Sequence, residues 1–172
     1  SCGDGGNEKD IVTEPEQMND RVKTNISELL ARIDEDGKVD DSTIITRLNA
    51  VEAYYSQSGY KAVWSSDEQF LSIADSLLLF IQQAKQYGLF PNDYHYPILQ
   101  HIASRFVADT AAVGDRRDAV LWSKADVLLT DAFFHIAAHL HIGRLKVDSM
   151  YMNPDSVLTN QFYHTNLTAV VN

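Results

Sequence analysis

The chain has 172 residues, 45% of them hydrophobic, which is enough for one domain with a proper core. A formal charge of −10, from 24 acidic against 14 basic residues, argues against nucleic acid as a partner, because phosphate binding needs a clustered cationic surface. No apolar run approaches the roughly 18 residues that a membrane-spanning helix needs, and the single cysteine, Cys2, can form neither an internal disulfide nor a cysteine-based zinc site.

Residues 1–18 read as a flexible tether, opening with a Gly-rich polar stretch around Cys2 and carrying Pro15 in an acidic surround. The remainder, 19–172, reads as one helical domain. A first short helix is expected with Asn25 or Ser27 as its cap and Ile26, Leu29, Leu30 and Ile33 at helical spacing. It ends at the acidic cluster around Asp34, Asp36 and Gly37, which imitates a calcium loop. Counted from Asp34, however, Gly37 is fourth and the twelfth position is Ile45, whereas an EF-hand needs Gly at six and Glu at twelve.

A second helix is predicted from Asp41 or Ser42 to about Ser58, closed by Gly59. The stretch 59–64 is too short for a helix and is expected to cross the surface extended, with Trp64 turned inward as a pin. Ser66 and Gln69 form a capping-box pattern for a third helix, whose buried face is Phe70, Ile73, Ala74, Leu77, Leu78, Ile81 and Ala84. Two prolines and an Asn-Asp pair then mark 89–97 as a loop. Pro97 suits the first turn of a fourth helix bearing Ile98, Leu99, Ile102, Phe106 and Val107.

The longest helical pattern follows, near 116–142. Leu121, Ala125, Leu128, Leu129, Ala132, Ile136 and Leu140 step by threes and fours, and Phe133, Phe134 and Ala137 widen the apolar arc beyond what a surface helix needs. It is therefore expected at the centre of the domain, ended by Gly143 with Arg144 near its negative end. A final helix is predicted after Pro154, capped by Asp155 and carrying Val157, Leu158, Phe162 and Leu167. With no repeat and no hairpin signal, the economical fold is all-α: a single bundle-like domain of about five to six helices around that central one.

Polar residues inside the most apolar stretch, Asp126, Thr130, Asp131, His135 and His139, draw the search for chemistry. Asp131, His135 and His139 are spaced by four and share a helix face, so they could offer a metal three ligands. Ile136 stands where a zinc protease helix needs Glu, and the stronger expectation is that Asp131 and His135 bond each other or nearby backbone. Cys2 lies in a tether with no held base, and no nucleophile elbow, phosphate loop or dinucleotide fingerprint is present, so no catalytic residue, metal or cofactor is assigned. Tyrosines at helix ends and loops leave a glycan or protein surface as an alternative, carried by Tyr87, Phe90, Tyr94 and Tyr96.

Three segments, in order, resemble the α-helical scaffold domain that precedes the catalytic domain in the larger bacterial L,D-transpeptidases. They are Tyr55, Gly59, Tyr60 and Trp64 within 55–64; Ala84, Gly88, Leu89, Pro91 and Tyr94 within 84–94; and Leu128 to Phe133 with His139, Leu140, Gly143, Arg144 and Leu145 on the central helix. Thr130, Asp131, His135, His139 and Arg144 are then polar positions of a scaffold helix. The resemblance implies a bacterial cell-envelope protein that links peptidoglycan stem peptides. The family's catalytic signature, a His followed by Ser-His-Gly-Cys and an Arg, has no counterpart here, so this chain alone is expected to be non-catalytic, with the enzyme in its full-length parent. Its partner would be a C-terminal catalytic domain missing beyond Asn172. The opening around Cys2 is similar to that of a mature bacterial lipoprotein, so a lipid anchor through Cys2 and a periplasmic location are expected. The alternative is a free-standing envelope lipoprotein that holds peptidoglycan or a protein partner.

Overall fold

A computed structural model describes residues 9–107, 116–142 and 158–171. Cys2, Gly143, Arg144, Asp155 and Val157 lie outside them. Six α-helices and two short hairpins appear among the described residues, in the order α1 (Met18–Arg32), β1 (Lys38–Asp40), β2 (Thr43–Ile44), α2 (Leu48–Ser58), β3 (Ser65–Ser66), β4 (Gln69–Phe70), α3 (Ser72–Gln82), α4 (Tyr96–Val107), α5 (Ala119–Ile142) and α6 (Asn160–Val171). The domain is all-α in architecture, with α5 at its centre.

Why α5 is central follows from its sequence. Unbroken from Trp122 to Ala138 except at Lys124, Phe133, His135 and Ala137, its side chains are buried, so neighbours cover it on nearly every side. Leu140, expected on the covered stripe, is 58% exposed, because that stripe outruns its neighbours. Asp118 caps the helix start, its carboxylate accepting Val120 N–H at 3.1 Å. Helix α1 lays Met18, Val22, Ile26 and Leu30 along α5, one residue every fourth position, which makes a single line on one face. It starts a full two turns before the expected Asn25 cap; Asn25 lies inside it and its amide reaches Asp10 Oδ2 at 2.7 Å.

On another flank, Trp122 stacks on Phe106 of α4 with ring centroids 3.8 Å apart and planes at 8°, and Phe70 meets Trp122 edge-on at 4.8 Å. Helix α6 closes the remaining side through Tyr163 against Phe134, with Tyr163 and Leu167 buried.

Three expectations are corrected. The tether does not run to residue 18: Val12 is buried, its N–H donates to Arg117 O at 2.8 Å, and Ala119 N–H donates to Asp10 O at 2.8 Å, so 10–12 are fastened to the head of α5. Helix α2 begins at Leu48 and α3 at Ser72, because the residues read as their first turns form the hairpins β1–β2 and β3–β4 instead. Ser66 and Gln69 are strand partners, not a capping box. Gly59 does close α2, at φ 67, and Trp64 does turn inward, fully buried.

Candidate functional site

Two carboxylates five residues apart on α5, Asp126 and Asp131, organise the polar interior. Both are 1% exposed. Asp126 accepts the Tyr55 hydroxyl at 2.5 Å, Val63 N–H at 3.0 Å and Trp64 N–H at 2.9 Å. One turn on, Thr130 Oγ1 accepts the Trp64 indole N–H at 2.9 Å, shares a 2.8 Å bond with the Tyr55 hydroxyl and donates to Asp126 O at 3.0 Å. Burial pushes the Asp126 carboxyl up to about 6, with the Tyr55, Trp64 and Val63 donors limiting the rise. Burial also lifts the Tyr55 hydroxyl well above its ordinary value, and the Asp126 charge adds to that.

Asp131 receives three donors from two other parts of the chain. Thr46 N–H and Arg47 N–H reach it at 3.1 and 2.6 Å, immediately before α2. Both residues precede the first helical residue, Leu48, so Asp131 anchors the entry to that helix and places an acidic side chain beside its positive end. The third donor is His95, whose Nε2 is 2.6 Å from Asp131 Oδ2.

His95 comes from the loop 89–95, which Gly88 and His95 bracket with left-handed backbone at φ 72 and 58. Between them Pro91, with its fixed φ, starts a tight 3₁₀ turn over Pro91–Tyr94 that packs against α5. Tyr94 is fully buried there, its hydroxyl 2.7 Å from His139 Nδ1, and His135 Nδ1 lies 3.1 Å from Asp93 O. Burial lowers the His135 pKa, the nearby Asp131 charge opposing.

The candidates therefore sort differently from their reading in sequence. Thr130, Asp131, His135 and His139 all face neighbouring segments; Asp131 and His135 do not bond each other but do meet backbone, as the other expectation had it, and Asp131 adds His95. Of the four aromatic residues, Tyr94 leaves the candidate surface for the core, and Tyr96 is half-buried at the start of α4. Tyr87 and Phe90 remain exposed, Tyr87 stacked on Phe80 at 5.1 Å. Sequence reading singled out neither His95 nor Arg47, and took Tyr55 as a family marker without seeing it as a partner of Asp126. The signal that could have prompted a search for them is that a buried helical Asp requires donors, although spacing does not say which.

Chemically, the arrangement binds backbone. Asp126, Thr130 and Asp131 between them hold the segments 46–47, 55 and 63–64, while His95, His135 and His139 fix the loop before α4. Among the described residues, no group of three or more His, Cys, Asp or Glu side chains is placed to hold a metal ion. The cluster at Asp34 is a turn in which Asp34 Oδ1 accepts Asp36 and Lys38 N–H at 3.1 Å each, and Asp40 instead accepts Lys124 Nζ at 2.6 Å.

A family model described as Scaffold domain matches residues 49–171, well over half of the chain. No curated protein and no solved structure matches it.

Proposed function

We propose, from the premise that the chain belongs to the Scaffold domain family, that it is the non-catalytic scaffold of a cell-envelope L,D-transpeptidase-like protein that cross-links peptidoglycan. The observation that supports this reading is the use of the marker residues. Thr130, Asp131, Tyr94 and His139, which carry the resemblance, hold three chain segments onto one helix. A domain whose polar interior is committed to internal anchoring is suited to presenting a rigid surface to a neighbouring domain. In this reading that neighbour is a C-terminal catalytic domain, Cys2 carries a lipid, and the protein works in the periplasm of a bacterium.

The test begins with the coding sequence beyond Asn172. A further segment of about 200 residues, the size of one more domain, with a Ser-His-Gly-Cys signature is expected. The full-length product should then cross-link tetrapeptide stems, and should lose that activity when residues 49–171 are deleted. A stop codon near Asn172 sinks the reading. So does cross-linking by the 172-residue chain alone that Cys2→Ala abolishes.

A second reading, a free-standing envelope lipoprotein that binds peptidoglycan or a protein, is favoured by the exposed Phe90 and by the exposed Tyr87, stacked on the Phe80 ring. Its signature is retention of the chain on purified sacculi that falls away in a Tyr87→Ala, Phe90→Ala variant.

A further inference from the structure

Tyr87 and Phe90 stand on either side of a fixed point in the chain. Gly88 takes a left-handed conformation and its N–H donates to Lys85 O at 3.2 Å, while Leu89 is buried and its N–H donates to Ala84 O at 3.1 Å. The two aromatic residues that flank this anchor are exposed, Tyr87 by 58% and Phe90 by 48%. Tyr87 also lies nearly parallel to Phe80, with ring centroids 5.1 Å apart and planes at 18°. One face of the tyrosine ring is therefore backed by a second ring and the other is left to solvent. The result is a flat plate already held in place, which lowers the ordering cost of any ligand that lies on it.

The neighbouring side chains narrow the class of ligand. Gln83 comes three residues after Phe80 and four before Tyr87, so it shares their side of the α3 end, and Gln82 and Gln86, four apart, lie next to it. All three are exposed, as is Asn92, and none of these amides is drawn into a side-chain hydrogen bond among the described residues. From Leu79 to Asn92 the only charged residue is Lys85, in a chain that is 22% charged. A ligand held by ion pairs is therefore a poor match. So is a protein, since a stable interface uses roughly 20–30 residues a side, and so is a drug-like apolar molecule, which needs a concave pocket. A pyranose ring with all its substituents equatorial does fit. Its faces carry only axial C–H groups, which lie flat on an aromatic plate, and its edge carries hydroxyls, which exchange hydrogen bonds with amides that both donate and accept. In a β-1,4-linked chain such rings follow one another in a straight line, and Phe90, at most about 11 Å along the backbone from Tyr87, can meet a second one.

The geometry points to a glycan-binding site in which a straight β-1,4-linked saccharide chain stacks on Tyr87 and Phe90 and is held at its edges by Gln82, Gln83 and Gln86. The site takes up the exposed residues of the second reading above and narrows their ligand to the sugar strand, not a peptide or a protein. It rests on that reading only for the sacculus as the source of the strand.

The test is titration of the 172-residue chain with chitotetraose, a soluble β-1,4-linked oligosaccharide, and with a free stem tetrapeptide, both followed by amide chemical shifts. Chitotetraose is expected to bind in the range of about 0.1–5 mM, a span of modest small-ligand affinities, with shifts centred on residues 79–92. Raising salt from about 0.05 to about 0.5 M should leave the affinity unchanged, because no charge pair carries it. Tyr87→Phe, which keeps the ring, should bind within about twofold of wild type, and Tyr87→Ala at least about tenfold more weakly. Gln83→Ala with Gln86→Ala should bind several-fold more weakly. All of these positions are exposed, so the variants should keep the helical circular dichroism of the parent. No binding of chitotetraose at about 20 mM, undiminished binding by Tyr87→Ala, or tighter binding of the tetrapeptide each overturns the assignment. Retention on sacculi without binding of chitotetraose also overturns it and leaves the second reading standing. Binding of chitotetraose without retention on sacculi upholds the site and removes the sacculus as its source.

Discussion

His95 Nε2 meets Asp131 Oδ2 at 2.6 Å, joining the left-handed end of the 89–95 loop to a carboxylate that simultaneously anchors the entry to α2 through Arg47 N–H. Asp131→Ala removes the acceptor of three donors at once and is expected to destabilise the fold by about 3 kcal/mol, the range for breaking a buried charged partner. A double-mutant cycle with His95→Ala, read by urea denaturation, should show coupling of about 1–2 kcal/mol. Additive effects would mean that the contact does not carry the loop.

Asp126 gives the protein a pH signature with a definite sign. Its carboxyl is raised from 3.8 to about 6 by burial, so the folded state holds a proton that the unfolded chain has already released. Its contribution therefore falls as pH rises through the window from about 4 to about 6, by up to about 3 kcal/mol, and is flat on either side. Asp10 and Asp40 act oppositely. Arg21 holds Asp10 below its ordinary range, and Lys124 and Ser42 overcome burial to hold Asp40 far below it, so their contributions fade as pH drops. The measurement is thus a comparison: the stability of Asp126→Asn minus that of wild type should increase between pH 4 and about 6. A constant offset, as expected from the lost acceptor alone, would show that Asp126 does not titrate there.

Thr130→Val keeps the shape of the side chain and deletes its oxygen. The Trp64 indole N–H then loses its acceptor inside the core, whereas the Tyr55 hydroxyl still reaches Asp126. A loss of about 1–3 kcal/mol is expected, with a shift in Trp64 fluorescence as the indole N–H goes unpaired. An unchanged unfolding midpoint would indicate that another acceptor replaces Thr130.

Much of this was legible beforehand and some was not, for reasons that can be named. The periodicity of α5 foretold its central place because burial on several sides leaves a wide apolar arc. The hairpins at 38–44 and 65–70 were hidden because strands of two or three residues are too short to show alternation, and Ser66 with Gln69 fits a cap as well as a strand pair. Of the two partners expected for Asp131, His135 or nearby backbone, the structure shows backbone, the N–H groups of Thr46 and Arg47, with His95 as a further partner. His95, 36 positions earlier in the chain, cannot be found by helical spacing.

Two of the left-handed glycines, Gly37 and Gly59, separate backbone strain from steric clash. At Gly37, φ is 77 and a Cβ would lie 2.5 Å from Ile45 O, a backbone atom fixed by the Ile45 N–H bond to Gly37 O. At Gly59, φ is 67 with nothing within 4 Å. Gly59→Ala should cost about 1 kcal/mol and Gly37→Ala at least about 2 kcal/mol more, because only the second forces backbone to move. Equal thermal shifts in the two variants would contradict this.

The fastening of residues 10–12 to 117–119 has a mechanical consequence. Tension applied to the N-terminal end would enter at the head of α5, the longest helix among the described residues. The force is then delivered to the most deeply packed element first, so that a pull from this end is resisted by the core as a whole before any single outer helix can be peeled away.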